Sequence, residues 1–147
     1  MHARAIHLIE TLSLVSHPEG GSFAVVYRSP HRVLPTDGRP PRAALTTILF
    51  LLAKGEISRW HRVASDEVWH YYEGDPLALT WIEVGSGRVR RHVLGPVGEH
   101  TGPVTVVPAG CWQTARPWGS YSLVGCTVAP GFEFDDFELL GNAKLTN

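Results

Sequence analysis

Residues 55–74 read GEISRWHRVASDEVWHYYEG, and their apolar and polar side chains alternate with the two-residue period of β-strands joined by a polar turn. Trp60, Arg62 and Val63 flank His61 in the first strand. In the second, Glu67, Trp69 and Tyr71 fall on one face, and Val68, His70 and Tyr72 on the other. If the two strands are neighbours, His61 and Glu67 point into the same cavity, an imidazole facing a carboxylate. Such a pair can move a proton or help to hold a metal. Gly55 and Gly74 close the stretch, where the chain must turn without a Cβ in the way.

Outward from this stretch the same period recurs. Strands are expected over 22–29, 44–52, 77–84, 89–94, 104–107, 113–115 and 120–128, separated by Gly-, Pro- and Asp-containing turns. Ala5, Leu8, Ile9 and Leu12 have the spacing of one helical stripe, so a short helix is expected over 3–14, ended by Pro18 and the Gly20–Gly21 pair. Residues 30–42 are rich in Pro, Arg, Asp and Gly and read as an exposed, mobile loop with solvated arginines. The aromatic segment 132–140 packs phenyl rings, with a short helix as one option, and its acidic residues Asp135, Asp136 and Glu138 read as solvated. Eight or nine short strands with regular turns imply an antiparallel sandwich or barrel rather than a parallel sheet.

The 147 residues suffice for one domain with its own core. A net charge of -1 gives no electrostatic case for nucleic acid or for an anionic membrane surface. No apolar run is long enough to span a bilayer, and the start of the chain lacks the order of a signal peptide, so a cytoplasmic location is expected. Cys111 and Cys126 lack the spacing of zinc or redox sites and read as buried thiols.

Gly55, His61, Val63, Glu67 and Gly74 have the spacing of the first motif of the cupin superfamily, which this stretch resembles, with Val63 where a second histidine is usual. Gly102, Pro108, Ala109, Gly110 and Gln113 resemble the second motif, with glutamine where a metal-binding histidine is expected. HPEGG at 17–21, YRS at 27–29, WHRVASDEVWHYYEGDPL at 60–77, VPAGCWQ at 107–113 and SLVGCTVAPGFEF at 122–134 resemble the small cupins of the cupin-five type over nearly the whole chain. The resemblance implies an all-β fold, the cupin double-stranded β-helix or jelly-roll barrel, here with a short N-terminal helix. It lends no agreed reaction.

The candidate catalytic residues are His61, as general base, and Glu67, setting its tautomer and charge, with Tyr71 or a water as the acid. Candidate ligand-binding residues are Trp69 and Tyr71, an aromatic wall, and Gln113, an amide donor to a substrate oxygen. Arg59 shares the strand parity of His61 and is either a cation for an anionic ligand or a surface arginine. His70 should face outward, and Glu19 of HPEGG reads as a turn or cap contact. One imidazole, one carboxylate and one amide fall short of three good ligands plus water at a catalytic zinc. No tightly bound metal or other cofactor is therefore expected, and a weakly held divalent transition metal on His61, Glu67 and Gln113 is the most that this set allows.

Three functions follow for a small-molecule ligand: a metal-independent isomerase or epimerase of a sugar-like or carbonyl compound, a non-enzymatic binding protein, or a metal-dependent cupin enzyme. The missing ligands count against the last. No nucleic-acid or membrane partner is expected. A homodimer is, through the strand 22–29 and the outward His70 and Tyr72.

Overall fold

A computed structural model describes residues 1–141. The chain runs α1 (Ala3–Thr11), β1 (Val15–Ser16), β2 (Ser22–Arg28), β3 (Arg32–Val33), β4 (Arg42–Ala43), β5 (Thr46–Ala53), β6 (Ser58–Arg62) and β7 (Asp66–Gly74). It continues through β8 (Leu77–Ile82), β9 (Val89–Leu94), β10 (Val104–Val107), β11 (Trp112–Pro117), β12 (Tyr121–Ala129), a single 3₁₀ turn (Phe134–Asp136) and β13 (Glu138–Leu139). Nine of these strands are four residues or longer, which matches the turn spacing of the sequence.

Two antiparallel sheets face each other. The larger has the order β1-β2-β5-β12-β7-β10 and the smaller β13-β6-β11-β8-β9. Between them lies a core that includes Phe50, Leu52, Trp69, Leu77, Leu79, Leu94 and Val124. Such burial stabilises by about 1.5–3 kcal/mol for each large apolar side chain. The helix is three residues shorter than its apolar stripe suggested. It lies on the outer face of the larger sheet, where Ala5 and Leu8 meet Leu51, Ala53 and Leu123. Arg4 fixes it there through Glu73, at 2.7 Å.

The strands that carry His61 and Glu67 are not neighbours. β6 pairs with β11 and β13 in the small sheet, whereas β7 pairs with β12 and β10 in the large one. The turn 63–65 therefore carries the chain from one layer to the other. His61 and Glu67 reach one cavity by facing each other across the barrel.

Two expectations about loops are corrected. Residues 30–42 contain the β3–β4 ribbon, and Arg42 is buried rather than solvated. Its guanidinium is hydrogen-bonded to Asp136, which Arg39 also meets at 3.1 Å. Asp136 is thus a buried counter-ion and not part of a solvated run. The reason is packing: the aromatic segment folds back over the barrel, and its carboxylate would be costly to bury without those cations.

Candidate active site

The cavity sits between the sheets at the end closed by the aromatic segment. Phe132, Phe134 and Phe137 form its outer wall, and Phe23, Ile48 and Val128 part of its floor. Main-chain bonds hold that wall: Phe132 N donates to Thr46 Oγ1 at 2.9 Å, and Gly131 N to the Ala43 carbonyl at 2.8 Å. A Cβ on Gly131 would come 2.7 Å from that carbonyl oxygen, so only glycine allows the approach. The cavity measures about 90 Å³. At roughly 10–15 Å³ for one water, it takes a molecule of about six to nine non-hydrogen atoms.

His61, on β6, is buried and has both ring nitrogens engaged by oxygen acceptors. Nδ1 is 2.7 Å from the Arg59 carbonyl and Nε2 is 2.9 Å from Glu19 Oε2. A carbonyl and a carboxylate can only accept, so both nitrogens carry hydrogen and the ring is an imidazolium. Burial works against that charge, but Glu19 and then Glu67 outweigh it and raise the His61 pKa to about 9. Phe137 lies over the ring with its centroid 5.5 Å away.

Glu19 is the residue that the sequence reading missed. Its expected role as a turn or cap contact is corrected, because its carboxylate is buried against His61. Burial alone would raise its pKa, yet the His61 charge and hydrogen bond hold it below the ordinary value. The following glycines make this placement possible. Gly20 and Gly21 have φ of 117° and 72°, and a Cβ on Gly20 would lie 2.1 Å from the Ile57 carbonyl oxygen. The HPEGG turn thereby folds flat onto β6, where Arg59 N donates to the Glu19 carbonyl at 2.7 Å. An acid followed by two glycines was the available signal. His17 Nδ1 accepts from the Glu19 N–H at 3.1 Å, so that nitrogen is unprotonated and the ring neutral. Burial, partly opposed by Glu19, lowers the His17 pKa in agreement.

Glu67 enters from the opposite sheet. Gln113, the cross-strand partner of His61, donates from Nε2 to Glu67 Oε1 at 2.9 Å, while its own Oε1 accepts from the Trp69 indole at 3.1 Å. This chain fixes the amide orientation and ties the two sheets together. Among the described residues, Gln113 is the only group hydrogen-bonded to the Glu67 carboxylate, which leaves its second oxygen to the cavity. Burial, reinforced by the nearby Glu19 charge, raises the Glu67 pKa to about 7. Cys126 also lines the cavity, its thiol pushed up by burial and kept neutral.

The remaining candidates stand elsewhere. Trp69 is fully buried behind Gln113, and Tyr71 donates to the Gly74 carbonyl at 2.7 Å; neither lines the cavity. The aromatic wall comes from phenylalanines instead. Arg59 points away from the cavity and its guanidinium meets the Pro18 carbonyl, bracing the HPEGG turn from outside. His70 and Tyr72 face outward, stacked at 6.4 Å, as alternation required.

Both nitrogens of His61 and both polar atoms of Gln113 are engaged within the protein, and Val63 offers none. Among the described residues, no three His, Cys, Asp or Glu side chains are grouped to hold a metal ion.

Facing antiparallel sheets with a cavity between them that holds His61 and Glu67 of the first spaced motif define a cupin barrel. The chain belongs to the Cupin superfamily (DUF985), whose family model matches residues 6–140. A hypothetical protein from Leishmania major is 36% identical, with a TM-score of 0.88 over 97% of this chain and 90% of that one. A protein from Shewanella oneidensis, also 36% identical, gives a TM-score of 0.83 over 95% and 87%. Oxalate decarboxylase from Bacillus subtilis shares the fold at 14% identity, with a TM-score of 0.65 over 90% of this chain and 31% of that one. No match was found among curated proteins. Among the described residues, no helix is long and apolar enough to cross a membrane.

Proposed function

We propose that the chain is a metal-independent isomerase or epimerase, moving a proton on a small carbonyl or sugar-like compound, and that Glu67 is the group that exchanges it. The observation that carries this reading is the buried Glu67 carboxylate, held on one oxygen by Gln113, open to the cavity on the other, and with a pKa near 7. A general base works best when its pKa lies near the working pH. Glu67 would take the proton from the hydroxyl-bearing carbon beside the carbonyl, the electron pair would move onto the carbonyl oxygen to give an enediolate, and the carboxylic acid would return the proton to the former carbonyl carbon while the adjacent hydroxyl gives its own proton to that oxygen and becomes the new carbonyl. The fixed positive charge of His61 favours the anion formed in between.

The base role expected for His61 passes to Glu67 in this proposal, since an imidazolium with both protons engaged is a poor acceptor. Gln113 becomes a positioning residue for Glu67 rather than a donor to substrate. The binding-protein alternative draws on the same engagement of His61, which leaves Glu67 as the one exchanging group. Solvent-deuterium incorporation into small hydroxy-aldehydes and hydroxy-ketones, followed by mass spectrometry, separates the two. Exchange with wild type and its loss by about 10²–10⁴-fold in Glu67→Gln is expected. No exchange into any compound would favour binding alone.

The same proposal includes a cytoplasmic homodimer. Among the described residues β1 covers only Ser22 and Phe23, so no strand of theirs pairs the β2 edge beyond, where Val25, Val26 and Tyr27 are exposed. A second copy is the partner that would cover such an edge symmetrically.

A further inference from the structure

We infer that the ligand of this cavity is a small organic cation, an amine or quaternary ammonium compound, held with its charge at Glu67 and its apolar flank against Phe132, Phe134 and Phe137. This deepens the proposed function by naming a ligand class. It rests on the cavity assigned there and not on the proton transfer.

The first argument is the balance of charge around Glu67. Glu19, His61 and ionised Glu67 together carry one net negative charge, with both His61 nitrogens engaged and its charge held closest to Glu19, at 2.9 Å. His17 is neutral, because its Nδ1 accepts a main-chain hydrogen bond. Cys126 is a neutral thiol. The direct partner of Glu67 is the uncharged amide of Gln113. At the mouth, Arg28 is half-exposed and lies 3.9 Å from Glu133, so its charge is shared there. A carboxylate or phosphate entering the cavity would thus meet the carboxylates of Glu19 and Glu67 and, among the described residues, no further cation beyond the half-exposed Arg28 at the mouth. A neutral molecule would leave that net negative charge unbalanced in a buried place, which is less favourable. A cation supplies what is missing.

The second argument is the wall. Phe132, Phe134 and Phe137 all line the cavity, and their rings stand nearly perpendicular to one another, at 83°, 69° and 78°. Rings set this way present both faces and edges to the space they bound. A phenyl face carries partial negative charge and attracts ammonium groups, quaternary ones included. In size, room for about six to nine non-hydrogen atoms suits a simple ammonium compound.

Three probes of nearly one shape test this by isothermal titration calorimetry on the full chain: choline, its uncharged isostere 3,3-dimethylbutan-1-ol, and the anion 3,3-dimethylbutanoate. At pH 8 choline is expected to bind at least tenfold more tightly than the alcohol, and the anion not measurably. The preference should weaken from pH 8 to pH 6 as Glu67 takes up its proton. Glu67→Gln should bind choline and the alcohol alike, while Glu133→Gln at the mouth should keep the preference. Equal binding of choline and the alcohol to wild type, tighter binding of the anion, or no binding of any probe would overturn the proposal. So would a preference that disappears in Glu133→Gln and survives in Glu67→Gln. The two readings fail separately: a cation preference without deuterium exchange removes the catalytic one alone, and exchange into neutral hydroxy-ketones without a cation preference removes this one alone.

Discussion

His61 Nε2 lies 2.9 Å from Glu19 Oε2, and the buried ion pair of the cavity is this one rather than a pair with Glu67. Glu19 therefore keeps His61 charged, while burial and then the Glu19 charge raise the Glu67 pKa to about 7.

Replacing Glu19 by Gln should leave a buried histidine without its counter-ion. Breaking such a pair typically destabilises by about 3–5 kcal/mol, which urea unfolding at pH 7 would read. The pH dependence should change as well. In wild type the His61 pKa is raised to about 9 from an ordinary 6.5, so its contribution is fully present below 6.5 and lost as pH rises to 9. In Glu19→Gln burial is less opposed, and that decline should disappear. An unchanged slope between pH 6.5 and 9 would show that Glu19 does not hold the charge.

Glu67→Gln should stabilise the fold while removing proton exchange. The Glu67 pKa is raised to about 7 from 4.5, so the native state holds its proton more tightly than the unfolded chain. Stability contributed by this group then falls as pH rises from 4.5 to 7 and stays flat above. At pH 8 the variant is expected to gain about 1–3 kcal/mol in urea unfolding, and at pH 4 almost nothing. A loss of stability at pH 8 would contradict the assignment.

Asp136→Asn tests how the aromatic wall is held. It leaves the buried Arg42 without a charged partner and should destabilise by about 3 kcal/mol. Amide hydrogen exchange within 132–139 should quicken more than in β5 or β12, because the strap loses its anchor while the sheets keep their ladders. Uniform quickening across the chain would mean that Asp136 supports global stability only.

For the dimer, light scattering at micromolar concentration should give twice the 16.2 kDa chain mass. Val25→Lys together with Tyr27→Lys, which places charge on the open β2 edge, should shift it toward monomer. A monomeric wild type would remove the proposal.

The alternation of Glu67, Trp69 and Tyr71 was legible because strand period is a local property, and the burial of Glu67 and Trp69 follows it. The spaced glycines and Gln113 were equally legible, and they led to the family. That His61 and Glu67 share one cavity was anticipated by the wrong route, since sequence does not say whether consecutive strands pair or change sheets. Glu19 reads as a turn or cap contact and Asp136 as a solvated acid because their partners, His61 and Arg42, are distant in the chain. Only the fold brings them together. Trp69 and Tyr71 were read as a ligand wall from residue type alone, whereas the folded-back Phe132–Phe137 segment occupies that position.

The central claim is that Glu67 exchanges a proton near neutral pH inside this cavity. A ¹³C NMR titration of the glutamate side-chain carboxyl groups, with the Glu67 signal assigned by its absence in Glu67→Gln, measures this directly. The account requires a midpoint near 7 for that one signal. A midpoint at the ordinary value of 4.5 or below would contradict it, since Glu67 would then be a permanently ionised carboxylate with little capacity to return a proton.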